Sequence, residues 1–447
     1  MKTTSLIPTF NLPADYKAAL ARLNIPPADP KHAHTTELAK TVRAIINRVR
    51  TEGDNALLHY TKTLDKLTTQ AYKLRVTASD FECLTANPLD SALITAIETA
   101  ITNIKTFHSK QTIEPIHHTG KLGEKLTLRP SPINAVALYI PGGTAGSTPL
   151  ISTLIMNAIP AQLAGVKRLV VMTPPMPTGN LAPVLLYTLK RLGIDEIYKI
   201  GGAQAIAAGA YGTESIAPVD FISGPGNEYV TEAKRQVFGT VGIESLSGNS
   251  EIVVLSDGSS PTEHIASDLL SQAEHAGNEM VCLITTSLSH GKAVIGSIEK
   301  WLPQLSRKEI ISKSLARRSA LVIVKELREA HPFINALAPE HLELSVENPH
   351  DHLKAIHHAG AIFLGRWSSE PIGDYIAGCN HILPTSTSAR FASPLTVQHF
   401  YKWTNVIDYT EDAFTAYAPH AARLAAAETL SAHKNALDIR TSSPPSD

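Results

Sequence analysis

From Asn134 onward, short apolar runs alternate with stretches of helical periodicity, and this alternation most narrows the folds open to the chain. The runs are nearly continuous in apolar residues, as in strands that are buried on both faces. A succession of such strands and helices favours a parallel sheet covered by helices on both sides. The runs predicted as strands are residues 135–140, 168–173, 196–201 and 219–223.

The alternation then starts again, with predicted strands at 251–256, 281–286, 320–324 and 361–365 and helices between them. Two successive blocks of this kind predict two nucleotide-fold-like α/β domains that face a cleft. The sequences of the two blocks do not visibly repeat.

The two ends of the chain differ from these blocks. The first 30 residues are rich in proline and predict an arm with a short helix near Asp15–Leu23. Helical periodicity also begins at Thr35, and another helix is expected over Asp90–His108. After Pro384 no further strand is expected, and residues 395–436 are predicted to be mainly helical.

Composition indicates an ordinary soluble protein. Of the 447 residues, 43% are hydrophobic and 18% charged, and the formal net charge is −1, so no basic footprint for nucleic acid is expected. The three cysteines are few and far apart, which favours a reducing compartment over a disulfide framework. The N-terminal residues have no apolar signal region, and no apolar run approaches the ~20 residues of a membrane helix. The expected location is the cytoplasm.

Three glycine-containing turns in the first block follow predicted strands and precede predicted helices: Gly142-Gly143, Gly201-Gly202 and Gly224-Pro225-Gly226. Backbone amides at such turns can bind phosphate groups. None of the turns is a GxGxxG motif, and glycine there can equally serve turn geometry alone. Polar residues near the turns are candidates for cofactor contacts: Tyr139, Gln204 and Asn227.

A helix predicted from Ser260 carries a possible metal-binding pair. Ser260 is the expected N-cap, and Glu263 would complete a capping box. Gln272 and His275 are spaced i,i+3 and therefore share one face. On spacing alone, a histidine favoured by the helix dipole near the C-terminus is the more frequent explanation, because Gln-x-x-His is not a known zinc signature.

Three further segments contain residues able to move protons or bind metal. The first is Glu340-His341, and the second is the loop with Asp374 and residues 378–381 beyond a predicted strand. In the third, Glu428 and His433 are spaced i,i+5 and face together only if a helix ends between them. His117-His118, in a predicted loop, and His357-His358, on a predicted helix, are expected to have no functional role.

These segments occur together, in an order that resembles the histidinol dehydrogenase family. The resemblance extends from about Thr35 to Ala436, and several long motifs make it specific. The motifs are LYIPGGTA (138–145), GGAQAIAA (201–208), SGPGNEYVTEAKRQV (223–237), ASDLLSQAEHAG (266–277), APEHLEL (338–344), GDYIAGCNHILPT (373–385), SARF (388–391) and ETLSAHKNAL (428–437).

The resemblance implies a zinc ion, an NAD site and a homodimer with shared active sites. The implied zinc ligands are Gln272, His275, Asp374 and His433. The C-terminal region that carries Glu428 and His433 would reach into the partner subunit. The implied domains are an arm (1–30), a metal- and substrate-bearing α/β domain (31–138 with 251–390), an NAD-binding α/β domain (139–250) and a C-terminal helical domain (391–447).

The resemblance also implies how the reaction is divided among the residues. Glu340 and His341 would be the proton acceptors, and NAD would contact Tyr139, Gln204 and Asn227. L-histidinol would be oxidised to L-histidinal and then to L-histidine, with two NAD reduced, and zinc would act mainly as a template for the substrate. The implied substrate contacts are Ser250, His341, Glu428 and the four zinc ligands.

The sequence departs from the family pattern mainly at residues 244–250, where two expected prolines are missing and Ser250 is kept. Smaller departures are Pro394, Cys379 and an insertion at 146–148. Two alternatives therefore stay open: a related zinc and NAD enzyme that oxidises another polar alcohol, such as a sulfonated diol, or a non-catalytic descendant. Glu428 argues against the sulfonate, because a carboxylate suits an ammonium group and repels a sulfonate.

Overall fold

The computed structural model describes residues 7–23, 36–69, 72–143 and 146–442. The strands are β1 (Thr9–Asn11), β2 (Ile116–Thr119), β3 (Lys125–Pro132), β4 (Ala135–Tyr139), β5 (Arg168–Met172), β6 (Glu196–Tyr198), β7 (Phe221–Ser223), β8 (Gly242–Ile243), β9 (Glu251–Ser256), β10 (Met280–Thr285), β11 (Ser319–Ile323), β12 (His341–Ser345), β13 (Ala361–Leu364) and β14 (Tyr401–Asp408). The α-helices are α1 (Tyr16–Leu23), α2 (Glu37–Glu52), α3 (Asp54–Leu64), α4 (Cys83–Ala86), α5 (Ser91–His108), α6 (Ile151–Leu163), α7 (Pro183–Arg191), α8 (Gly202–Tyr211), α9 (Glu228–Val237), α10 (Thr262–Ala273), α11 (Leu288–Trp301), α12 (Lys308–Arg318), α13 (His331–Leu337), α14 (Glu370–Tyr375), α15 (Glu411–Ala427) and α16 (Ser431–Ser442).

Two parallel sheets form the larger of two compact units, which contains the chain up to Gln111 and Ile133–Phe400. The first sheet has the strand order β6-β5-β4-β7-β8, and the second has the order β1-β11-β10-β9-β12-β13. All their strand pairs are parallel. The predicted α/β class with two parallel blocks is thus confirmed.

The second sheet is covered on both faces, which explains its continuous apolar strands. On one face α1 and α13 pack over alternate side chains such as Val253 and Cys282. On the other face α10, α11 and α12 pack over their neighbours, such as Ile252 and Val281. Helices therefore enclose both sides of this sheet.

The first sheet shares its core with α2, α3, α8 and α9. Val42 and Ile46 of α2 belong to the same buried cluster as Ala137 and Val170 of the strands. The sequence interpretation grouped residues 31–138 with 251–390, but α2 and α3 pack on the sheet of the first block. Thr36 caps α2 by accepting a hydrogen bond from the amide of Ala39.

The smaller unit contains Thr112–Pro132 and Tyr401–Asp447. In it β14, β3 and β2 form an antiparallel sheet, followed by α15 and α16. The prediction that strands stop after Pro384 is wrong, because β14 pairs along its whole length with β3. The expected loop at His117-His118 is also wrong, since both residues lie in β2. These strands are mostly exposed, so they lack the apolar pattern of the buried ones.

Other local predictions have mixed outcomes. The helix expected at 15–23 is confirmed as α1, whereas residues 1–6 and 24–30 of the predicted arm lie outside the described residues. A 3-10 helix over Pro349–Ala355 replaces the expected helix that was to include His357-His358. In the part of the chain that the structure describes, no helix has the length and apolar character needed to cross a membrane.

Candidate active site

The candidate metal group lies at the amino ends of strands in the second sheet. His341 is the first residue of β12, and Glu251, the first residue of β9, lies in the neighbouring strand. A helix that follows a strand in a parallel sheet returns to this edge, so the end of α10 carries Gln272 to the same side. Asp374, which was expected in a loop beyond a strand, lies instead in α14, with Oδ1 3.9 Å from Nε2 of His341 at this edge.

Backbone hydrogen bonds hold Glu340 and His341 against β9. The amide of Glu251 donates to Oε2 of Glu340 at 3.0 Å. Nδ1 of His341 lies 3.0 Å from the carbonyl oxygen of Glu251, which can only accept, so Nδ1 carries the proton in the neutral ring. Nε2 of His341 therefore presents its lone pair, and no described residue makes a hydrogen bond to this buried atom. This tautomer suits both metal binding and proton acceptance.

Three side chains with ligand atoms form a compact group around Nε2 of His341. Ligand atoms of His341, Glu370 and Asp374 all lie within 4.8 Å of one another. Glu370 and Asp374 are four residues apart on α14 and so share one face. Glu370 was not among the predicted ligands, because its i,i+4 spacing to Asp374 is informative only once this segment is known to be a helix.

Burial and mutual repulsion disfavour the charged forms of the carboxyls here. The pKa of Glu340 is raised well above its usual value by burial and then by the charges of Glu251 and Asp374. Burial and the neighbouring Asp374 raise the pKa of Glu370 to about 7. Burial alone raises the pKa of Asp374 to about 6. A bound cation would relieve this cost, so the electrostatics suit a metal ion.

Gln272 lies fully buried on α10, and neither atom of its amide has a hydrogen-bond partner among the described residues. The amide lies close enough to Glu370 to lower the pKa of that carboxyl slightly, but not in hydrogen-bond geometry. A buried amide with nothing bound is costly, and an oxygen ligand to a cation would satisfy it. Gln272 therefore fits a metal site.

The predicted cap of α10 is wrong, because Pro261 is the N-cap and makes no side-chain cap. The Ser260 hydroxyl instead accepts a hydrogen bond from Ser345. His275 lies just beyond the helix end and is exposed. Burial is the main cause that lowers the pKa values of His341 and His381, and the nearby His275 adds to it, so the three rings lie close together.

Glu428 and His433 lie in the smaller unit. They do not lie on one continuous helix, because α15 stops at Ala427, directly before Glu428, and α16 begins at Ser431, before His433. Both side chains are exposed. Ser250, the other predicted substrate contact, is half-buried directly before β9, and its carbonyl accepts from the amide of Met280.

The predicted cofactor contacts gather at the carboxyl ends of the first sheet. Tyr139 ends β4, and the other two residues open the helices that follow β6 and β7. The sheet order reverses between β4 and β7, and ligands of parallel α/β sheets bind at such a point.

Tyr139, Gln204 and Asn227 each have a polar group that can contact a ligand. The Tyr139 hydroxyl accepts from the amide of Gly202 at 3.1 Å and keeps its own proton to donate. In the part of the chain that the structure describes, Oε1 of Gln204 is buried and has no hydrogen-bond partner. Asn227 caps α9 with Oδ1, which leaves its amide nitrogen as the donor for other contacts. The residues present fit a dinucleotide.

His381 connects this edge of the first sheet with the metal group. Its Nε2 lies 3.1 Å from the hydroxyl of Thr153 on α6. Its Nδ1 lies 3.0 Å from the carbonyl oxygen of Asp374. Burial lowers the pKa of this ring to about 4, so it is neutral near pH 7. Sequence reasoning quoted His381 in a motif but gave it no role.

These features together define an α/β protein with a candidate metal site close to a nucleotide-type sheet. The family model for histidinol dehydrogenase matches residues 29–441. Histidinol dehydrogenases of Gluconobacter oxydans and Bacillus subtilis are 46% and 44% identical, over 90% and 91% of this chain and 93% and 94% of theirs. The crystal structure of histidinol dehydrogenase from Elizabethkingia anophelis is similar with a TM-score of 0.88, 36% identity and 98% coverage of both chains. The chain belongs to the histidinol dehydrogenase family, and the resemblance found in the sequence is confirmed.

Proposed function

We propose that the chain oxidises L-histidinol through L-histidinal to L-histidine, with NAD as oxidant and zinc as the bound metal. Family membership supports the oxidation of histidinol in histidine biosynthesis. The observation that carries the mechanism is the hydrogen-bonded connection from Thr153 through His381 to Asp374, because hydride transfer needs substrate and nicotinamide side by side.

The residues proposed to hold zinc are those implied by the family: Gln272, His275, Asp374 and His433. Support comes from the unpartnered amide of Gln272 and from the raised carboxyl pKa values. Glu370 adjoins this set and is a further candidate, whereas Nε2 of His341 is reserved for proton transfer. When bound, the ion supplies positive charge that offsets the carboxyl repulsion and open positions for the nitrogen atoms of the amino alcohol.

His341 is the proposed acceptor of the hydroxyl proton in the first oxidation. Its Nδ1 is fixed by the carbonyl of Glu251, so Nε2 receives the proton while a hydride leaves the carbinol carbon for NAD. Because burial lowers the pKa of His341 to about 4, the ring is neutral and ready to accept.

Glu340 is the proposed acceptor in the second oxidation, where it takes a proton from the water that adds to the aldehyde. The hydrated anion that results then gives a second hydride to a second NAD, and the carboxylic acid that forms releases its proton to solvent. The raised pKa of Glu340 makes its ionised form a strong base. Ser250 and Glu428 are proposed to contact the polar groups of the substrate, and Tyr139, Gln204 and Asn227 to contact NAD.

A homodimer with shared active sites is also proposed. In the smaller unit large apolar side chains are exposed, including Ile407, Leu424 and Ile439, and exposed clusters of this kind mark interfaces. The exposed Glu428 and His433 would then complete the partner's site. The three cysteines are free, in keeping with a reducing compartment such as the cytoplasm.

One assay tests the reaction. Zinc-loaded protein with NAD and L-histidinol should form two NADH for each histidine, and a chelator should stop the reaction. Absence of NADH refutes the proposal, and turnover of a sulfonated diol in its place favours the alternative substrate class.

Mixing two inactive variants, Asp374→Ala and His433→Ala, tests the shared site. If each site uses both subunits, random heterodimers should restore about a quarter of the normal sites. No recovery after confirmed subunit exchange would refute sharing.

A further inference from the structure

A buried ion pair lies behind the Gly224-Pro225-Gly226 turn of the first sheet. Nζ of Lys234 on α9 lies 2.7 Å from Oε1 of Glu244, and the two side chains are only 1% and 2% exposed. Burying two charges is costly, and a well-packed apolar pair is often as stable. The pair therefore needs an explanation beyond stability.

The ion pair binds both polar backbone groups of Gly224. The amide of Gly224 donates to Oε1 of Glu244 at 2.8 Å, and Nζ of Lys234 donates to the carbonyl of Gly224 at 3.1 Å. Gly224 has φ +134, and a Cβ there would clash with the carbonyl oxygen of Tyr139. The turn thus packs closely against Tyr139, a predicted cofactor contact. A second predicted contact, Asn227, follows the turn directly.

The same helix also holds the loop that leads to the metal group. On α9 the Thr231 hydroxyl donates to the carbonyl of Ser247 at 2.6 Å. The amide of Gly248 donates to the hydroxyl of Thr385. Glu244 opens this loop and Ser250 ends it. The hydrogen bonds of Thr231 and Thr385 therefore stabilise the 244–250 loop, which lacks the two prolines of the family pattern.

We propose that Lys234 and Glu244 are positioning residues that hold the 224–226 turn and the 244–250 loop as one unit. This inference rests on the proposed NAD-dependent reaction. The pair binds the backbone of the 224–226 turn, which is proposed to bind the dinucleotide. Because Glu244 belongs to the loop that carries Ser250, the same pair also stabilises that loop. Loss of the pair should therefore weaken dinucleotide binding and loosen the substrate loop together.

The test compares Glu244→Ala with Glu244→Gln. The amide oxygen of Gln can still accept from Gly224, whereas Ala removes the acceptor. Glu244→Ala should weaken NAD binding, measured by calorimetry on the zinc-loaded dimer, about tenfold or more, and Glu244→Gln should recover much of that loss. The control is Glu196→Gln, which removes the charge of Glu196 from its 2.8 Å ion pair with Arg168 in the same sheet and should leave NAD affinity unchanged.

Amide hydrogen exchange without ligand provides the second readout. Glu244→Ala should accelerate exchange both at 224–226 and at 247–250, and Thr231→Val should do so at 247–250 only. If Glu244→Ala does not fold, Lys234→Met removes the other half of the ion pair and should accelerate exchange in the same two segments.

Two results would overturn the proposal. One is an NAD affinity of Glu244→Ala within twofold of that of the unaltered chain. The other is faster exchange of Glu244→Ala in only one of the two segments. Failure of the unaltered protein to bind NAD would instead refute the proposed function. The exchange measurement needs no ligand, so it would still test whether the two segments are coupled.

Discussion

Glu370→Gln tests whether the geometric group at α14 takes part in metal binding. Ligand atoms of Glu370, Asp374 and His341 lie within 4.8 Å of one another, so an ion among them would lie within about 5 Å of the Glu370 carboxylate. At that distance, with an effective dielectric constant of ~20, a divalent ion gains about 7 kcal/mol of Coulomb energy from one carboxylate. Dehydration of both groups offsets most of this gain.

The remaining effect is expected to be a loss of affinity of ~10- to 100-fold, the range for carboxylates that support a metal site. Since the pKa of Glu370 is about 7, deprotonation near neutral pH reduces the affinity only slightly. Gln keeps an acceptor for the Ser271 hydroxyl, which lies 3.1 Å from Oε2, so the fold should be kept.

The assay is competition for zinc with a fluorescent chelator, read as a Kd. The control is Asp65→Asn, because Asp65 is also a buried carboxyl with a pKa raised, by burial, to about 6. The control should bind zinc as the unaltered chain does. If Glu370→Gln also binds zinc within twofold of the unaltered chain, the reasoning is refuted, and the family ligands alone hold the ion.

Three further predictions concern catalysis, pH and stability. His341→Ala should slow the first oxidation and Glu340→Gln mainly the second, in single-turnover assays; equal losses in both steps would contradict this division. Burial raises the pKa values of Glu251 and Glu370 to about 7 in the folded state, so metal-free protein binds more protons when folded than when unfolded. Its free energy of unfolding should therefore fall as the pH rises from the pKa of the unfolded glutamates through 7. Urea unfolding from pH 6.5 to 8, with buried histidines already neutral, checks this, and a flat profile would oppose it. Phe333→Ala removes a fully buried ring of the second sheet's core and should cost about 3–5 kcal/mol in the same urea assay, so a cost under 1 kcal/mol would show that the core is not packed as described.

The buried strands could be predicted from the sequence because a parallel sheet covered on both faces demands apolar residues at every position. β9 and β10 are entirely buried and were placed within about a residue. β2 and β14 could not be found in this way, since most of their residues are exposed and pairing with β3, not burial, defines them.

The site was only partly predictable, for a geometric reason. Helical spacing linked Gln272 with His275 but could not bring either to His341, which depends on how α10 returns to the start of β12. Glu370 lies in a short helix that contains Pro371 and Gly373, residues that indicate a loop in a sequence. Such groups meet only after the sheet has formed.

The pairing of β3 with β14 has a consequence for synthesis of the chain. Tyr401 pairs with Pro132, so β3 leaves the ribosome long before its partner strand exists. At ~5–20 residues per second, the wait is on the order of tens of seconds. During that time β3 has an unpaired edge, which is a template for unwanted association between chains. Nascent chains should therefore be most prone to aggregate after Pro132 has emerged and before Asp408 has.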